Sequence, residues 1–224
     1  MAFFIFGAGS IAQIASQYFS DDFDTDADAF IVDDGFVPEP SKAESMNLPA
    51  PIISLSDFQS EVSPQPSVSV FVAVSYSNQN GLRVKRCEEL LSSGYQLASY
   101  VSPRASVLTK EPIGLNAFIL EDNTIQPFVK IGNFVTLWSG NHLGHHSSIE
   151  DGVFVSSHVV ISGNCRIGER SFLGVNATVG DSVKIGNEVI LGAGSTVTKD
   201  VEDFSVIVPP RSTQLSKSSR DVAL

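Results

Sequence analysis

Two cysteines in 224 residues, Cys87 and Cys165, supply neither a disulfide framework nor the spacing of a zinc site. No apolar run approaches the roughly 20 residues that a membrane span needs. The opening MAFFIFGAGS is too short for one, and it lacks the basic region and cleavage site of a secretory signal. Basic side chains are scarce: 14 Lys and Arg against 25 Asp and Glu leave a net charge of −11, which argues against nucleic acid as a partner. These absences predict a reduced, cytoplasmic protein that meets neither a membrane nor nucleic acid. The acidic excess is uneven, with a net of −9 over residues 1–100 and −2 over 101–224. The cluster Asp21, Asp22, Asp24, Asp26 and Asp28 reads as a solvated loop.

What is present is a repeat. From Val101 to Val201 an aliphatic residue recurs every six positions, through Val107, Ile113, Ile119 and onward to Leu191 and Val197, seventeen times without a break. Glycine follows the aliphatic at 114, 132, 144, 168, 174, 180, 186 and 192. A small or β-branched residue stands four places after it in most hexads, as at Ala117, Val129, Ser147, Cys165 and Val189. A period of six fits neither an α-helix nor a long strand, so short strands must alternate with corners. Three hexads close one triangular coil of eighteen residues, with aliphatics inside. The whole run predicts a parallel β-helix roughly 27 Å tall at ordinary strand spacing. The glycine after each aliphatic is expected to let the backbone turn. Cys165 falls on an inward position and reads as a small buried hydrophobe.

The first hundred residues alternate strands and helices, which implies a parallel sheet. Ala2–Phe6, Ala27–Val32, Ile52–Leu55 and Ser67–Val74 read as strands. Ile11, Ile14, Ala15 and Phe19 have helical spacing, and Leu82–Ser92 reads as a helix with Arg83, Lys85 and Arg86 on its polar face. Half of a doubly wound fold fits this length. Gly7-x-Gly9-x-x-Ala12, after a strand and opening a helix, has the form of a nucleotide-binding turn. There, missing side chains and the helix N-terminus at Ser10 admit phosphates. Asp33 and Asp34, at the tip of the second strand, are placed to accept hydrogen bonds from a ribose or a base. The alternative is a tight turn that binds nothing. The organisation expected is an α/β unit at 1–100, a β-helix at 101–202, and a tail at 203–224 that frays after Val206–Arg211.

All four histidines lie within seventeen residues of the β-helix: His142, His145, His146 and His158. Inward positions are apolar, so these point outward or sit at corners. One coil is eighteen residues, so His145 stacks against Gly163 and His158 against Gly140. An imidazole beside a backbone-exposing glycine suits a base next to an N–H donor, and free imidazole titrates near pH 6.5. A surface cluster and a metal site are the other readings. Trimeric gamma-class carbonic anhydrases bind zinc through an isolated histidine and a pair five apart, and no two histidines here are five apart.

With both halves in view, the chain resembles the bacterial nucleotide-sugar acyltransferases of the left-handed β-helix class. These include 4-amino-sugar N-acetyltransferases and the sialic acid O-acetyltransferase-like group. The resemblance rests on the Gly7-Ala8-Gly9 turn, the Val32-Asp33-Asp34 strand end and, above all, Leu137 through Gly174. It implies a left-handed coil, acetyl-CoA as co-substrate, no metal, and a homotrimer with sites between subunits. It places the general base on His145 and the oxyanion donor on Gly163; His142 and His146 are the other candidates for this site. It places coenzyme A against Gly163, Gly174, Asn176, Gly192 and Arg211, and the nucleotide sugar against Gly7, Gly9, Ser10, Asp33 and Asp34. Two departures stand out. Where many N-acetyltransferases carry a glutamate directly after the base, this chain has His146, and a second family histidine falls on Phe154.

The activity expected is therefore acetyl transfer to a nucleotide-linked, typically amino, sugar in glycan-precursor synthesis. The alternatives are an O-acetyltransferase of a free sugar or sialic acid, a carbonic-anhydrase-like metalloprotein, and a non-catalytic scaffold. Outward Phe134, Trp138, Phe154 and Val160 are expected to meet a second copy.

Overall fold

In a computed structural model of the protein, residues 1–214 and 216 are described. The chain opens with β1 (Ala2–Phe6), α1 (Ser10–Phe23), β2 (Ala29–Val32), α2 (Pro40–Ser45), β3 (Ile52–Ser54), α3 (Leu55–Glu61), β4 (Val68–Val72), α4 (Gly81–Ser92) and β5 (Gln96–Leu97). The strands form one parallel sheet in the order β3-β2-β1-β4-β5. Alternation along β1 sends Phe4 and Phe6 to one face, against Phe58 of α3 and Cys87 and Leu90 of α4. Phe3 and Ile5 go to the other, against Ala12, Ala15 and Phe19 of α1. Two short helices, α2 and α3, flank β3, and α3 takes Leu55 from the end of the expected strand. Helix α3 starts from Ser54, whose hydroxyl accepts the Asp57 N–H.

From β6 (Tyr100–Val101) onward, two-residue strands β7 (Ser106–Val107) through β22 (Val206–Ile207) stack as three parallel sheets. The register is eighteen residues, as in Leu137 on Val155 and Ile161 on Val179. Every aliphatic from Ile119 to Val197 in the six-residue series is buried in one continuous core, along with the small residues four places on. The series expected to stop at Val201 extends one strand further. The last coil closes in sixteen residues, pairing Ile190 with Val206. Residues 215 and 217–224 of the expected tail lie outside the described residues.

The glycines after the aliphatics are not where the chain turns left-handed. Positive φ recurs at every sixth residue from Asn116 to Gly194, two places later than those glycines, and mostly at side-chain-bearing residues such as Phe128, His146 and Asn164. The glycine after the aliphatic is needed because neighbouring coils nearly touch there. A Cβ on Gly168 would lie 2.5 Å from the carbonyl of Gly186, and one on Gly144 2.4 Å from Ser162 carbonyl carbon.

The α/β unit docks on the outer side of the seven-stranded sheet. Phe118, Tyr100 and Leu120 join the α1 side of its core, and Phe134 joins the α4 side. Phe134 and Phe154 are thus buried under the chain's own first half, not free for a second copy; of the expected outward residues only Val160 is well exposed. Arg83 is a second correction. It is buried, donating to Thr136 Oγ1 and, at 2.7 Å, to the Asn116 carbonyl, and burial pushes its guanidinium down to about 10. Asn116 in turn bonds both the N–H and the carbonyl of Val72. Tyr18 donates to Glu121 at 2.6 Å, and Asp22 accepts from Tyr100 and from Arg104.

Two outcomes follow from this packing. Gly168→Ala, which must push coils apart, should cost about 2–3 kcal/mol or more. Gly194→Asn, at φ +73 with nothing within 4 Å, should cost under about 1 kcal/mol, both read from denaturant midpoints. The hydrogen bond from Tyr100, then that from Arg104, holds the Asp22 carboxyl below its ordinary value of 3.8. Its contribution is therefore present above that value and lost as pH falls through the lower folded one. The stability gap between wild type and Asp22→Asn should close on acidification below about pH 4.

Candidate active site at the prism corner

The triangular prism has three corners, and the histidines belong to the edges of one face. Each coil runs from the seven-stranded sheet, through a corner, to the six-stranded sheet, then through a second corner to the four-stranded sheet. His142 begins β12 (His142–Leu143) on the six-stranded face, and His145 and His146 form the corner that follows. One coil on, Gly163 occupies the place of His145. The imidazole lies over it: a Cβ there would sit 2.7 Å from His145 Cε1 and 2.9 Å from Nε2. On the far side, Asp181 Oδ1 would be 3.2 Å from the same point. Gly163 therefore opens a notch between an imidazole and a carboxylate. Its N–H has no acceptor among the described residues, whereas the next N–H, of Asn164, is taken by the His145 carbonyl at 2.9 Å.

The corner is held by its neighbours. Gln126 Oε1 accepts the His145 backbone N–H at 2.9 Å. His145 Nδ1 lies 3.1 Å from His146 Nδ1, and the His146 ring stacks on Phe128, one coil earlier, with centroids 4.6 Å apart. Gln126, Phe128 and Asp181 escaped the sequence reading, although the eighteen-residue spacing of Phe128 to His146 and of Gly163 to Asp181 was there to find them. His158 packs over Gly140 at the preceding corner, away from His145. Cys165 is buried behind Gly163, donating to the Gly180 carbonyl at 3.0 Å, and burial pushes its thiol up, so it is no nucleophile. Among the described residues no three His, Cys, Asp or Glu side chains converge as metal ligands.

The other expected residues lie elsewhere. Gly174, Asn176 and Gly192 are at the corner between the seven- and six-stranded sheets. There Gly174 helps line a cleft of about 360 Å³ with Ile11 and Tyr76 of the α/β unit and Trp138, Ser156, Phe172 and Ala193 of the prism. Its lack of a side chain is also demanded by packing, since a Cβ would meet Ala193 N at 2.6 Å. Arg211 is exposed beyond β22. Gly7 has φ +122, and a Cβ there would lie 2.8 Å from the Ala73 carbonyl oxygen. Gly9 has open space around it and caps α1 without any side-chain hydrogen bond, so the first N–H groups of α1, from Ser10 on, are uncapped by side chains. Asp33 is engaged by Arg86 at 2.8 Å and Asp34 by the Ser56 N–H at 3.0 Å. Against its partial burial, the Glu89 and Asp33 carboxylates raise the Arg86 guanidinium above its ordinary value.

Residues 164–199 match the family model of the bacterial transferase hexapeptide, six repeats. No curated protein sequence matches the chain. Among solved structures, a histidine-to-asparagine variant of perosamine N-acetyltransferase from Caulobacter crescentus, in complex with CoA and GDP-perosamine, superposes with a TM-score of 0.80 at 21% identity over 93% of this chain and 94% of that one. The acetyltransferase domain of PglB from Neisseria gonorrhoeae, in complex with acetyl coenzyme A, gives 0.78 at 21% identity over 93% and 96%. WeeI from Acinetobacter baumannii gives 0.79 at 24% identity over 93% and 97%. The shared fold spans both halves of the chain: an α/β unit followed by a left-handed β-helix.

Gly163→Ala tests the notch. The clash is with the exposed end of the His145 side chain, so stability should change by no more than about 1 kcal/mol while the imidazole is displaced. Denaturant midpoints read the first and a crystal structure of the variant reads the second.

Proposed function

We propose that the protein is an acetyl-CoA-dependent acetyltransferase acting on the amino group of a nucleotide-linked sugar. The observation that carries this is the His145 imidazole set over Gly163, whose N–H has no acceptor among the described residues. The fold neighbours support it, since they include complexes with acetyl coenzyme A and with CoA together with GDP-perosamine. In this reading His145 Nε2 takes the proton that the sugar nitrogen sheds as it attacks the thioester carbonyl. The Gly163 N–H meets the oxygen as it gains charge, and the imidazolium then returns the proton to the departing thiolate. A positioned base contributes roughly 10²–10⁴-fold and one oxyanion donor roughly 10²–10³-fold. Residues 1–100 would hold the nucleotide diphosphate on the open N-terminus of α1, and 101–202 would carry out the transfer.

The two halves of this site do not meet within one chain. The α/β unit and Gly174, Asn176 and Gly192 flank one edge of the six-stranded face, and His145 and Gly163 flank the other. That face carries Ser106, Thr124, His142, Val160, Thr178 and Thr196 outward, without one charge, whereas the four-stranded face carries Lys130, Arg166 and Lys184. An uncharged face suits burial against a second copy. Around a threefold axis, one chain's His145 edge would lie against its neighbour's α/β edge. This supports a homotrimer with shared sites.

Thiol release from acetyl-CoA, measured against UDP-, dTDP- and GDP-linked amino sugars and their hydroxyl counterparts, tests the activity. His145→Ala should lower kcat by at least about two orders of magnitude, with coenzyme A affinity nearly unchanged. Near-normal turnover would remove His145 from the chemistry. Gly9→Glu, with room for its side chain but a carboxylate where phosphates would sit, should also be inactive. Co-expressing the two variants should restore measurable activity if sites are shared, and none if each chain works alone.

A further inference from the structure

The feature of the corner that the proposed reaction leaves unexplained is the pairing of two imidazoles through the same ring atom. His145 Nδ1 and His146 Nδ1 are 3.1 Å apart, with ring planes 84° to one another. A hydrogen bond between two Nδ1 atoms needs one to carry the proton and the other to present its lone pair, so the two rings must adopt opposite tautomers. His146 is the better fixed of the two. Its backbone is held left-handed at φ +60, its N–H bonds the Pro127 carbonyl, and its ring lies stacked on Phe128. His145 is anchored at its backbone by Gln126, while its ring is free to take either tautomer.

We infer that His146 is a positioning residue that holds His145 in the tautomer with the proton on Nδ1, so that the Nε2 lone pair faces the Gly163 notch. This rests on the proposed role of His145 as base. His145 Nδ1–H donates to His146 Nδ1, and His146 carries its own proton on Nε2. When His145 Nε2 gains the acceptor's proton, the Nδ1–H bond to the neutral His146 is retained. The pair differs from an imidazole–carboxylate pair in having no negative charge to stabilise the imidazolium. It also works only when both rings are neutral. A proton on His146 Nδ1 leaves that atom without a lone pair. His145 must then turn its own Nδ1 lone pair toward it and carry its proton on Nε2, where the base is lost. One proton on the pair, on either ring, thus switches the site off.

The other charged groups at this corner are Asp181, on the far side of Gly163, Lys199 and Asp200, one coil beyond it, and Lys110 and Glu111, in the coil before Phe128; Asp200 is engaged by the Lys184 N–H. Glu150, across the next strand, is already engaged by Arg166 and Ser148. None of them takes the place of His146 at His145 Nδ1.

Two measurements separate this inference from the reaction it rests on. Imidazole ¹⁵N–¹H NMR of the full chain at pH 8 needs no substrate: the His145 proton should appear on Nδ1 in wild type and move largely to Nε2 in His146→Ala. An unchanged tautomer in that variant overturns the proposal, whatever the protein acetylates. In the transferase assay, His146→Ala should lower kcat about tenfold or more with little change in KM for acetyl-CoA. His146→Glu should restore much of kcat and move the acid limb of the pH–rate profile upward by about one unit, because the carboxylate favours the protonated neighbour. A merely structural His146 would leave that limb in place. Wild-type kcat and pH profile in His146→Ala would likewise overturn the proposal, whereas absence of turnover in wild type would count against the proposed function alone.

Discussion

The close approach of successive coils in strict eighteen-residue register is the constraint from which the rest of this structure descends. Strand pairing of Leu143 with Ile161 and Ile161 with Val179 places like on like up the prism. The coils come so near at the position after each aliphatic that Gly114, Gly144 and Gly168 cannot carry a Cβ without displacing backbone. Because the same register governs the corners, a side chain at one corner is read directly against the residue eighteen places away. That is how His145 comes to lie over Gly163, His146 over Phe128, and Asp181 beyond the notch. A one-residue slip would turn the aliphatic series outward, so the apolar core itself protects the alignment of the polar corner.

The second constraint is how the prism's three faces are used. The seven-stranded face is claimed by the α/β unit, through Phe118, Phe134 and Phe154 and through the buried Arg83. Burying a guanidinium without a carboxylate is costly, and here the cost is partly offset by hydrogen bonds to Thr136 and the Asn116 carbonyl, the Asn116 side chain tying back to Val72, while Arg83 Nε has no partner among the described residues. That network makes the docking specific in a way that aromatic contacts alone would not. The four-stranded face is charged and suited to solvent, which leaves the six-stranded face and its two dissimilar edges. The candidate base lies on one edge and the cleft beside α1 on the other, so under the proposed function the site depends on what covers the face between them.

Much of this was legible along the chain. Period-six aliphatics specify the prism because no other regular structure buries that spacing. Eighteen-residue arithmetic then pairs His145 with Gly163 and His158 with Gly140 before any coordinates. The strand-turn-helix at Gly7–Gly9 was legible too, as the left-handed φ of Gly7 shows. Other features were hidden for physical reasons. Phe154 points outward from its strand and Phe134 projects from a corner, as a partner-seeking face would, and nothing local says that the partner is the chain's own first half. Arg83 has the polarity of a solvated helix face, and only the docking of α4 on Thr136 buries it. The corner glycines carried their meaning in a close contact between distant residues, not in the local turn.

By itself, then, the sequence determined the coil, its core and the vertical neighbours within it, because each follows from a short-range period repeated until it closes on itself. Tertiary structure decided which face the α/β unit takes, that Asp33 is already paired with Arg86, and that the His145 and His146 rings meet through Nδ1. Those outcomes depend on long-range packing and on side-chain rotation, which no local pattern encodes.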